Sequence, residues 1–93
     1  MPSNSDLKGI LTELQIAIES DSTLSDDDKA EALEQVGAIA NAGKTPKDNT
    51  VQKVVKNAIK FIKGTISDLP DTEKVVQIGI KVFPLLMTFF GLV

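Results

Sequence analysis

Apolar residues along this chain fall into four blocks, each with the spacing of an α-helix and each set off by polar breakers. In the first block Leu7, Ile10, Leu11, Leu14 and Ile18 sit at i, i+3, i+4, i+7 and i+11, one stripe of a helix. Ser5 can accept from the first free amides, so this helix is expected to start after it and run to about Ser20. Ile16 falls on the opposite face, either as an isolated surface residue or as part of a second contact face.

The second block, LSDDDKAEALEQV, follows the loop Asp21, Ser22, Thr23. Ser25 is a strong N-cap, and Asp26, Asp27 and Asp28 put negative charge at the positive end of the helix dipole. A calcium loop starting at Asp21 fails on spacing, because Asp26 stands where Gly is required and Ala32 where Glu is required. Leu33, Val36, Ile39 and Ala40 are expected to face inward, with Gly43 ending the helix as a left-handed cap. The third helix should run from Pro46 to Ser67, with Thr45 as its cap and Asp48 three residues later. Val51, Val54, Val55, Ala58, Ile59, Ile62 and Ile66 form its broad apolar face; Lys53, Lys56, Lys60 and Lys63 lie nearly opposite.

The fourth block follows the breaker Leu69, Pro70, Asp71, and from Val75 to Val93 its only polar residues are Gln77, Lys81 and Thr88. Pro84 lies inside it. A proline there removes the hydrogen bond to the carbonyl of Ile80 and costs roughly 3 kcal/mol in a regular helix. The expected architecture is therefore all-α: a small antiparallel four-helix bundle with the last helix kinked or broken at Pro84, followed by a short helix from Pro84 to Phe90. Residues 1–93 are read as one helical domain with a disordered start over 1–5, either complete or a module of a longer protein.

Composition narrows the chemistry. The chain has no His, Cys, Trp or Tyr, and every one of its 10 basic residues is Lys. An ordinary zinc site, a thiol nucleophile, a redox pair and a Ser-His-Asp triad are all excluded. The acids cluster in a helix cap or on polar faces, away from any paired-carboxylate cleft. Lys81 is the odd ionisable group, and on an apolar helix it is expected at a boundary, stem packed and head in water. No catalytic residue, metal ligand or cofactor is expected. The start, MPSNSDLKG, has no apolar stretch of signal-peptide type, which points to the cytoplasm.

Charge is unevenly divided. Residues 1–45 hold three Lys and nine acids, net −6; residues 46–93 hold seven Lys and four acids, net +3. The lysine stripe of the third helix could suggest nucleic acid, but the missing Arg, the acidic whole and the absence of stacking aromatics argue against it. A solvated face, or pairing with acidic surfaces of the second helix or of another copy, accounts for it better.

The C-terminal segment admits three readings: fully internal, core plus interface, or a membrane span. As a span it is poor, because its 12 Val, Ile, Leu and Phe residues gain about 4–7 kcal/mol and Lys81 returns roughly 3. As core plus interface, Phe83, Leu86, Phe89, Phe90 and Leu92 would form an uncovered apolar cluster that a monomer rarely leaves exposed.

Three stretches, LSDDDKAEALEQVGAIANAGKTP, KNAIKFIKGTISDLPDTEK and the ending FPLLMTFFGL, resemble a segment that recurs at the C-termini of cyanobacterial proteins, notably some pentapeptide-repeat proteins. The likeness spans roughly residues 7–92, and its distinctive elements are LS-x-x-DKAEALEQV and LP…FGL. It implies a portable accessory domain of unknown function and carries over no catalytic residues; the β-helix of the repeats is not implied, since no pentapeptide repeat occurs here. The expected function is a non-enzymatic interaction or oligomerisation module that meets a protein partner or another copy through Phe83, Leu86, Phe89, Phe90 and Leu92. The alternative is a membrane-associating effector whose segment 75–93 enters lipid.

Overall fold

The computed structural model describes residues 4–92, which form four α-helices: α1 (Asn4–Ser20), α2 (Asp26–Ala42), α3 (Asn49–Ile66) and α4 (Lys74–Phe89). Local chemistry sets most of the boundaries. Ser25 Oγ accepts from the amide of Asp28 at 3.1 Å, with three aspartates in the first turn of α2. The α1–α2 loop is held by Asp21, whose buried carboxylate accepts from the amides of Thr23 at 2.7 Å and Leu24 at 2.9 Å. That turn lets Leu24 drop into the core.

The ends of the helices fix the topology. Thr23 of the first loop donates to Glu73, the N-cap residue of α4, at 2.6 Å. At the opposite end Gln52 of α3 donates to the carbonyl of Phe90 at 2.8 Å. Gly43, at the end of α2, abuts Leu7 at the start of α1, and a Cβ on Gly43 would run into that leucine. These contacts describe an up-down-up-down bundle in which α1 packs on α2 and α4, and α3 packs on the same two. Each helix gives one stripe to a shared core; Leu14, Ile18, Ile39, Val55, Ile62, Val75 and Leu86 are fully buried within it.

Several local expectations are corrected. Helix α3 starts at Asn49 rather than Pro46, because Asp48 is the stronger cap: its carboxylate accepts from Thr50 and Val51 at 2.9 and 3.1 Å. The preceding Thr45 and Pro46 form a turn instead, closed by the Asp48 amide on the Thr45 carbonyl at 3.1 Å. Gly43 has φ −60°, so it is right-handed rather than a left-handed cap; a Cβ there would press on the end of the Leu7 side chain and lie 3.2 Å from the Ala40 carbonyl. Ala40 and Val54 are exposed rather than inward, since both lie at the flank of their stripes; Ala32 and Ala42 line the core from α2. Helix α1 already includes Asn4 and Ser5, so Ser5 does not cap it, and of the start expected to be disordered, residues 1–3 lie outside the described residues.

Helix α4 runs through Pro84 as one element, and the separate short helix from Pro84 to Phe90 does not form. Pro84 stands on the exposed side of α4, where the carbonyl it deprives of a partner, that of Ile80, can be hydrated. The helix stops one turn later in a Schellman motif. The amide of Leu92 donates to the carbonyl of Met87 at 2.8 Å and that of Gly91 to Thr88 at 3.1 Å, with Gly91 at φ 70°.

Candidate interaction surface

The five C-terminal residues expected to stand uncovered do not form an exposed cluster. Phe83, Leu86 and Phe90 belong to the core, Phe90 being 1% exposed, and Phe89 and Leu92 are half-buried against it. The reason is geometric. With α4 unbroken, Val75, Gly79, Val82, Phe83, Leu86 and Phe90 follow helical spacing and point one way. The Schellman turn then brings Leu92 back to the level of Met87, both half-buried. Phe89 and Phe90 meet edge to face, ring centroids 5.1 Å apart and planes at 71°.

The surplus apolar surface of α4 emerges elsewhere. Ile80 is 66% exposed and Leu85 44% exposed, each on a flank of the buried stripe. Ile80 stands at the lip of a groove of about 350 Å³ between α3 and α4. Buried Ile66, Val76 and Phe83 supply its floor, exposed Pro84 continues the lip, and half-buried Leu69 with Asp71 closes one end. On the α3 side Lys63 holds its ammonium 5.6 Å from the centroid of the Phe83 ring, a cation–π contact that caps the floor with positive charge. Gly79 keeps this packing close: a Cβ there would lie 2.9 Å from the Phe83 ring edge and 3.1 Å from Ile66 Cδ1.

The helices that flank the groove carry one sign of charge, while its closed end holds Asp71. Helices α3 and α4 carry Lys53, Lys56, Lys60, Lys63, Lys74 and Lys81 and contain no Asp or Glu. Helices α1 and α2 contain two lysines against Asp6, Glu13, Glu19, Asp26, Asp27, Asp28, Glu31 and Glu34. One ion pair joins the two halves among the described residues, Lys81 to Glu13 at 3.0 Å. Both partners are well exposed, so Lys81 is the boundary residue expected of it, with its head in water.

A second and larger trough, of about 620 Å³, lies between α1 and α2. Leu7, Leu11 and Val36 form its floor, but its rim is Lys8, Thr12, Gln15 and Lys44, with no large apolar side chain exposed. The α3–α4 groove differs in carrying one. The other chemistry is sparse: among the described residues no three His, Cys, Asp or Glu side chains gather as a metal site would. No helix of the described residues is long and apolar enough to cross a membrane; α4, which covers most of the candidate span, has 16 residues.

Sequence reading missed Ile80 because a helix that is apolar nearly all round hides its own seam. Ile80 lies about 100° from Gly79 on the helical wheel, off the line through Val75, Val82 and Leu86. Comparison with known proteins adds no identification: no protein-family model matches the chain, no curated protein or solved structure matches it significantly, and nothing among them connects it to pentapeptide-repeat proteins.

Proposed function

We propose that this domain is a non-enzymatic protein–protein interaction module of the cytoplasm, and that its contact surface is the groove between α3 and α4. The observation that carries this reading is Ile80, a large aliphatic side chain left 66% exposed beside an apolar floor, with Lys63 on the α3 wall. Burying such a side chain gains roughly 1.5–3 kcal/mol, which gives a partner an anchor. The lysines along α3 then select an acidic partner and exclude basic ones. An accessory module of this kind also fits the likeness to segments appended to cyanobacterial proteins. Apart from apolar carbon the groove offers one ammonium held on an aromatic ring and, at its end, Ser67 and Asp71, a set better suited to contact than to chemistry on a substrate.

A displayed library of amphipathic helices, selected on the wild-type domain and counter-selected on Ile80→Asp, tests the reading. Acidic helices with one or two apolar anchors should be enriched and should bind Ile80→Asp at least about tenfold more weakly. Helices that bind both proteins equally, or no enrichment at all, would overturn it. Ile80 is exposed, so the variant should keep its helical circular dichroism.

A further inference from the structure

The groove has a complement on the molecule itself. Ile16 is 56% exposed on the outer face of α1, turned away from the stripe of Leu7, Leu11, Leu14 and Ile18. It is a lone aliphatic knob on an acidic surface. Glu13 and Glu19 stand one turn to either side of it, and α1 with α2 carries the acidic charge of the bundle. Nothing in the fold requires an isoleucine there, since the core is complete without it and Ser20 spends its hydroxyl on the Ile16 carbonyl at 2.8 Å. This knob, with Glu19 beside it and Glu13 paired to Lys81, is opposite in charge to the lysine-bearing helices that flank the groove, where Lys63 stands on the wall and Asp71 closes one end.

We infer that the occupant of the α3–α4 groove is the outer face of α1 from a second copy of this chain. The inference rests on the groove reading above and names its partner. Ile16 of one copy would sit against Ile80 and Phe83 of the next, with Glu19 facing Lys63. Each copy carries knob and groove on different faces of the bundle, so the contact is head-to-tail and propagates into open chains or closes into a ring. A two-fold pairing of groove on groove is disfavoured by the same charges, since it would set the lysines of α3 against their own copies. The contact is small, which makes the association weak and concentration-dependent. It is also salt-sensitive, because the charges involved are exposed.

Complementation by broken halves tests this. Ile16→Lys removes the knob and leaves the groove; Ile80→Asp removes the groove and leaves the knob. In sedimentation velocity the wild type should gain mass with concentration up to about 1 mM and lose it several-fold as salt rises from about 0.05 to about 0.5 M. Each variant alone should remain monomeric. An equimolar mixture of the two should form a heterodimer and stop there, because one intact interface has been rebuilt. A wild type that stays monomeric, an Ile16→Lys variant that still assembles, or a mixture no heavier than its components would overturn the inference. If that happens while selected helices still bind at Ile80, the groove reading stands and its partner is another protein; if the helices fail as well, both readings fall. Circular dichroism of both variants, each altered at an exposed position, separates lost contact from lost fold.

Discussion

The antiparallel pairs α1/α2 and α3/α4 are built to one plan and present opposite surfaces. Each pair sends apolar stripes into the same core, and each keeps a groove between its helices. On α1/α2 the groove has a polar rim and the outer faces are acidic; on α3/α4 it has an aliphatic lip and the helices hold lysine alone. Fold and surface are thus set by different positions. The buried stripes join both pairs in one core, and the flanking positions give the pairs opposite charge.

Equivalence in the core is the easiest part of that comparison to break. Leu14 of α1 and Leu86 of α4 are both fully buried. Truncating either to alanine should cost about 2–5 kcal/mol in urea unfolding, through lost burial and a residual cavity. If α4 were a loosely attached tail, Leu86→Ala would cost far less than Leu14→Ala, and the two pairs would not be equals.

Loop architecture offers a smaller effect. Asp21→Ala strips the α1–α2 turn of a buried acceptor serving two amides and should cost about 1–3 kcal/mol. A neutral result would mean that Leu24 is held by its own burial rather than by the turn. Exposed charges should move stability least. Lys81→Met, which breaks the exposed pair with Glu13, should shift it by no more than about 1 kcal/mol. A larger loss would show that the two halves depend on that ion pair rather than on the shared core.

Much of the bundle was legible because its determinants are local. The stripe from Leu7 to Ile18, the Ser25 cap with its aspartates and the face from Val55 to Ile66 need only helical periodicity and the hydrogen-bonding habits of short polar side chains. The misreadings arose where local signals competed. Thr45 with Pro46 and Asp48 both offer a helix start, and the carboxylate that reaches two amides prevails. Pro84 carries a local instruction to break the helix, and the buried stripe on both sides of it overrides the loss of one hydrogen bond at an exposed carbonyl.

By itself the sequence determined that four helices form, that they share one core, and that the chemistry of His, Cys and Arg is absent. Which apolar residues of the last helix meet solvent was decided by tertiary structure alone. Periodicity orders residues around one axis; exposure depends on where three other axes lie, and a helix apolar on nearly every side has no preferred seam until its neighbours choose one. The bundle chose Phe83, Leu86 and Phe90 for its interior and left Ile80 at the lip of the groove between α3 and α4.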